Sequence, residues 1–124
     1  MTEQFDMKER LYRAIYSPEI MPFFWKKNGE ISSAVFKDKN GLSVERSGDR
    51  KESEVIENMR LFFVGSIISV TVEDCIACNA VVKYLPTKRS IYHSEIHGSE
   101  EERLLSQSQC KYMTKKARLF MSVC

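Results

Sequence analysis

The sequence has no apolar stretch of the about 20 residues that a membrane-crossing helix needs. Its longest apolar run, Leu61-Phe62-Phe63-Val64 continued by Ile67-Ile68, is broken by Gly65 and Ser66. The first residues, Met1-Thr2-Glu3-Gln4-Phe5-Asp6, lack the basic-then-apolar order of a secretory leader. Cys124 stands last rather than fourth from the end, so no prenylation signal is expected. Internal repeats and low-complexity segments are absent. A strong charge of one sign is missing too. The formal net charge is +2, and acids alternate with bases in Lys37-Asp38-Lys39 and Asp49-Arg50-Lys51-Glu52. A nucleic-acid binder of this size would carry a basic face instead, whereas such mixing reads as solvated surface. These absences predict a cytoplasmic protein without a membrane or nucleic-acid partner, whose four cysteines stay reduced.

What is present suits one packed domain. The 124 residues are 43% hydrophobic, 29% charged and 10% aromatic, close to globular averages, and too few for two ordinary domains. Residues 1–124 are therefore read as a single domain. Residues 1–10 have the composition of a short helix. Residues 11–16 alternate and are rich in β-formers, which predicts a strand ending at Pro18. Pro22 argues against a central strand over residues 20–25. Asn28-Gly29 and Asp38-Lys39-Asn40-Gly41 are turn sequences. Between and after them, residues 31–36 and 42–46 are predicted to pair as a hairpin. In residues 50–63, Val55, Ile56, Met59, Phe62 and Phe63 fall on one helical face.

Further strands are predicted at residues 66–72, 81–85, 91–96 and 119–123. Asp74 is read as the cap of a short helix over residues 75–80. Ser99 with Glu102 and Ser106 with Gln109 have capping-box spacing. The second box opens a helix that turns Cys110, Met113 and Ala117 inward and places Lys111, Lys115 and Arg118 outside. The strands do not alternate strictly with long helices. The fold class expected is thus α+β, with a mixed or antiparallel sheet of five to six strands and three to four short helices.

Three signals bear on chemistry. Cys75 and Cys78, separated by fourteen residues from His93 and His97, have the spacing of a two-thiolate, two-imidazole zinc site. The surroundings oppose it: no helix carries both histidines, and on one strand they would lie about 13 Å apart. The same Cys75–Cys78 pair could open a helix as a redox motif, but the βαβ context of such proteins is missing. Lastly, Arg13 stands inside an apolar strand, with Ser32, Ser33 and His93 elsewhere in the chain. Arginine offers a fork to phosphate or carboxylate, the hydroxyls add orienting hydrogen bonds, and histidine donates or exchanges a proton. Convergence of these four residues would make an anion site. The competing reading has Arg13 reaching the sheet edge or pairing with Glu95, with ordinary strand serines.

The segments Leu11-Tyr12-Arg13, Ser32-Ser33-Ala34-Val35-Phe36-Lys37-Asp38, Leu42-Ser43-Val44 and His93-Ser94-Glu95-Ile96 resemble a family of small bacterial proteins without an established function. The resemblance spans residues 11 to 120 and includes the position of His93, but not Cys75, Cys78 or His97. A looser likeness links Arg13 and Ser32-Ser33 to ADP-ribosyltransferase-like toxins, though their late catalytic glutamate has no clear counterpart. The leading expectation is an accessory or binding protein. It would recognise a small anionic, nucleotide-like ligand or a protein partner through Arg13, Ser32, Ser33 and His93, with no cofactor. The alternatives are an enzyme acting on NAD or a nucleotide, as the second likeness implies, and a structural zinc module.

Overall fold

The computed structural model describes residues 5–120. Its framework is one antiparallel sheet of six strands in the spatial order β4-β5-β2-β1-β3-β6. The strands are β1 (Arg10–Ile15), β2 (Leu42–Arg46), β3 (Ser66–Thr71), β4 (Val81–Tyr84), β5 (His93–His97) and β6 (Arg118–Phe120). Three helices complete the fold: α1 (Glu52–Arg60), α2 (Val72–Ala77) and α3 (Gln107–Lys116). The α+β class and the antiparallel sheet agree with the sequence reading.

Alternation along the strands builds two faces. On one face, Leu11, Ile15, Leu42, Val44, Ile68 and Val70 meet Cys75 of α2 and Cys110 and Met113 of α3 in the main core. On the other, Tyr12 and Ile67 meet Val55 and Met59 of α1 in a smaller cluster. β1 lies next to the sheet centre and is fully paired with β3, from Arg10↔Thr71 to Ile15↔Ser66. With β2 it pairs only at Leu11↔Arg46 and Tyr12↔Glu45. Beyond Tyr12, β1 and β2 part and leave a cleft.

Several expectations are corrected. Residues 5–9 are not helical, and residues 1–4 lie outside the described residues. Residues 31–36 do not form the first strand of a hairpin. Ile31 makes an isolated bridge to Trp25, and Ser33–Phe36 is a turn of 3₁₀ helix. The cause is Ser32, whose hydroxyl accepts from Ala34 N at 3.2 Å and donates to the Phe23 carbonyl at 2.6 Å. Local capping of this kind competes with a strand ladder. Helix α1 stops at Arg60, so Phe62 and Phe63 leave the helical phase and stand exposed instead of joining the Val55–Met59 face.

Other caps follow the sequence more closely. Helix α2 starts at Val72 with Thr71 as its cap and Asp74 as the reciprocal partner, rather than starting after Asp74. Ser99 accepts from Glu102 N at 3.0 Å but no helix follows, whereas the Ser106–Gln109 box does open α3. The last strand is Arg118–Phe120, and the remainder of predicted residues 119–123 lies outside the described residues. No helix among the described residues is long and apolar enough to cross a membrane.

Candidate functional site

The cleft where β1 and β2 part holds a pocket of about 160 Å³. Arg13, Ser43, Glu45 and His93 line it together with Tyr12, Met59 and Phe63. Arg13 follows Leu11 by two positions and pairs with Ile68, so its side chain springs from the main-core face. His93 pairs with Glu45, which pairs with Tyr12, so it springs from the α1 face. The two residues thus have opposite roots and meet only at the split. Ser32 and Ser33 are not between them. Ser32 caps the 3₁₀ turn, and the Ser33 hydroxyl accepts from Gln107 Nε2 at 3.3 Å. The four-residue convergence expected from the sequence does not occur, and two of its members share the pocket.

Arg13 is held by backbone alone. Its Nε donates to the Val35 carbonyl at 3.2 Å, and its Nη1 donates to the Ser43 carbonyl at 3.1 Å. Because the β1–β2 ladder has ended, the Ser43 carbonyl is free to take this bond. Burial lowers the guanidinium's pKa, and the Asp38 charge acts in the opposite sense from beyond ion-pair distance. No carboxylate forms a salt bridge with Arg13 among the described residues. Glu95, the obvious rival by sequence, instead accepts from His97 Nε2 at 2.8 Å.

Arg46 on the same face shows what full neutralisation looks like. Its Nε and Nη2 meet Glu9 Oε2 and Oε1 at 2.7 and 2.8 Å, and its Cζ sits 4.2 and 4.9 Å from the Phe5 and Tyr84 ring centroids. Among the described residues a bidentate carboxylate is supplied there and none at Arg13. Two of the five N–H donors of Arg13 are used. The one fully buried side-chain nitrogen or oxygen without a partner among the described residues is Arg50 Nη1. Arg13 Nη2, which makes no such bond, is therefore not fully buried.

The other polar groups at the pocket are mostly engaged. Tyr12 Oη donates to Glu52 Oε2 at 3.0 Å, and burial followed by Glu52 raises its pKa to about 12. Glu45 accepts from the Ser90 hydroxyl at 2.8 Å and from Arg50 Nη2 at 3.5 Å. His93 Nδ1 lies 2.9 Å from the Leu85 carbonyl. A carbonyl only accepts, so Nδ1 carries the proton and the neutral ring keeps its lone pair on Nε2. Sequence reasoning passed over Tyr12, Ser43, Glu45 and Met59. The alternation of Ser43 and Glu45 with Leu42 and Val44 was the available sign that they share the face opposite the core.

No protein-family model, curated protein or solved structure matches the chain.

The zinc pattern does not assemble. Cys75 is in the main core, while His97, adjacent to core residue Ile96, points to the opposite face. Among the described residues no group of three or more His, Cys, Asp or Glu side chains could hold a metal ion. Burial raises the thiol pKa of Cys75, Cys78 and Cys110, the reverse of what a redox-active thiol needs. A wider recess of about 340 Å³ lies beside the start of α3. It has no cationic lining residue, and Gln109 Nε2 there already donates to the Cys78 and Gly98 carbonyls at 3.0 and 2.9 Å.

Proposed function

We propose that this protein is a binding module that receives a small anionic group, a carboxylate or a phosphate, at the β1–β2 split. The observation that carries the reading is Arg13, a residue of the pocket lining whose guanidinium is anchored by two backbone carbonyls and has no carboxylate partner among the described residues. A desolvated cation without a counter-charge costs several kcal/mol, and a bound anion removes that cost. His93 adds a pocket-lining imidazole and Ser43 a hydroxyl; Tyr12, Met59 and Phe63 supply apolar walls.

The size of the pocket favours a small group. Sites for drug-sized ligands enclose roughly 300–1,000 Å³, against about 160 Å³ here. That favours a single phosphate or carboxylate over a whole NAD or nucleotide. With Tyr12 and Glu45 engaged, no nucleophile and base stand paired in the pocket, which favours binding over turnover.

The test is a thermal-shift and calorimetric titration of the purified chain with inorganic phosphate, acetate and benzoate. Ligand that binds only the folded state raises stability by mass action. Saturable stabilisation by at least one of these anions, absent in Arg13→Gln, is the expected result. Equal responses of the two proteins to all three anions would overturn the reading.

A further inference from the structure

The apolar run Leu61-Phe62-Phe63-Val64 is exposed along its whole length, with Phe62 at 81% and Val64 at 91%. It is not alone. Tyr16, Ile20 and Phe23 are also exposed, and the fold brings Tyr16 beside this run. Ile15 pairs with Ser66, and Gly65, at φ +130°, passes so close that a side chain on it would lie 2.5 Å from the Ile15 carbonyl oxygen. The Trp25 indole donates to the Tyr16 carbonyl at 2.9 Å, which ties the loop of Phe23 to the same end of the sheet. Single exposed apolar residues are ordinary, whereas a contiguous group marks an interaction site.

This patch is continuous with the Arg13 pocket, because Phe63 belongs to both. Charged residues in and beside the segments that carry the patch are of both signs, Lys26, Lys27 and Arg60 with Glu19, Glu30 and Glu57. The selective charge is therefore that of Arg13, which lines the same pocket as Phe63. We infer that this end of the sheet docks a protein partner through an apolar segment bearing an aspartate or glutamate, whose carboxylate enters the pocket and meets Arg13. The inference rests on the anion-binding reading and names the source of the anion. Apolar side chains around one buried charge pair give both affinity and register. An anionic membrane suits the site less well. The mixed charges nearby offer no basic ring, and insertion of the loop would draw the Arg13 guanidinium toward hydrocarbon.

The experiment selects binders from a displayed library of short random peptides on the native chain, then measures the winners as labelled peptides by fluorescence polarisation. The expected winners carry an acidic residue among apolar ones. Their affinity should fall at least about tenfold in Phe62→Ser and in Arg13→Gln. Phe62 does not line the pocket, so Phe62→Ser should still respond to free phosphate or benzoate as the wild type does. Winners without an acid, winners indifferent to either substitution, or no winners at all would overturn the inference. So would co-sedimentation with phosphatidylcholine–phosphatidylserine vesicles that Phe62→Ser abolishes, or a dimer in light scattering that Phe62→Ser dissociates. Failure of the free-anion titration sinks both readings; success there without an acid-bearing peptide sinks this one alone.

Discussion

Arg13 Nη1 reaches the Ser43 carbonyl at 3.1 Å at the point where the β1–β2 ladder has ended, so one charged side chain bridges two strands that no longer bond to each other. Removing it frees two carbonyl acceptors and opens the split. Arg13→Ala loses two bonds to a charged donor, a cost of about 1–3 kcal/mol, offset in part by relief of the uncompensated charge. Arg13→Lys keeps the charge but loses the planar fork, so it should recover only part of that stability. Urea denaturation of the three proteins measures this. An Arg13→Ala variant as stable as the wild type would mean that the guanidinium is no brace.

Phe62 and Met59 make a matched pair for testing where α1 ends. Met59 is buried in the α1 cluster, and its truncation to alanine should cost about 2–5 kcal/mol. Phe62 is in solvent, and Phe62→Ala should stay within about 0.5 kcal/mol of the wild type. A large loss at Phe62 would show the helix continuing through it, as the apolar spacing alone predicts.

That difference shows what the sequence could convey. Spacing at 3.6 residues correctly placed Val55 and Met59 on a buried face, since helix α1 does present them to Tyr12 and Ile67. It could not locate the helix end, which depends on the chain having to reach the start of β3 through Gly65. Likewise residues 31–36 do feed the core, with Ile31, Val35 and Phe36 all buried. The Ser32 hydroxyl decided the backbone form instead. Arg13 stood out as a charge in an apolar strand, and the structure gives it the Val35 and Ser43 carbonyls as acceptors. Its neighbours at the pocket depend on the β1–β2 register, a long-range property that no local pattern encodes.

The cysteines should differ sharply in reactivity. Cys75 and Cys110 are wholly buried, and burial holds their thiols protonated. Cys78 is half-buried, its Sγ 3.4 Å from the Cys75 carbonyl. Brief alkylation of the native protein, read by peptide mass spectrometry, should label Cys78 before the other two. Labelling of Cys75 at the rate of a denatured control would contradict the buried position of α2.

Tyr12 predicts loss of stability at alkaline pH. Its pKa is raised from 10.0 to about 12 on folding, first by burial and then by the bond to Glu52. Folding therefore favours the neutral phenol. Below pH 10 both states are protonated, and the group contributes nothing to the pH dependence. Between pH 10 and about 12 the unfolded chain loses the proton first, so stability falls as pH rises. The full span amounts to on the order of 2–3 kcal/mol. Tyr12→Phe removes this group, so its curve should fall less steeply over that interval than the wild type's. Parallel curves would place the phenol in water.

Gly41 offers the most local test of the α1 face of β5. It sits at φ +95°, in the left-handed region that side chains rarely adopt. A Cβ there would lie 2.6 Å from Glu95 Oε1 and 2.8 Å from His97 Nε2, the two atoms that bond each other at 2.8 Å. Gly41→Ala thus combines backbone strain, worth about 1–3 kcal/mol, with displacement of a part-buried imidazole–carboxylate pair. His97→Gln removes the imidazole–carboxylate bond but leaves the turn alone, so it should cost less. In the double variant the alanine has one fewer group to displace, and its penalty should shrink toward the strain alone. Thermal melts of the four proteins give the coupling directly. Simple additivity would mean that the loop at Gly41 does not rest on the His97–Glu95 pair, and that the turn is set by Asp38 and Asn40 without help from the sheet.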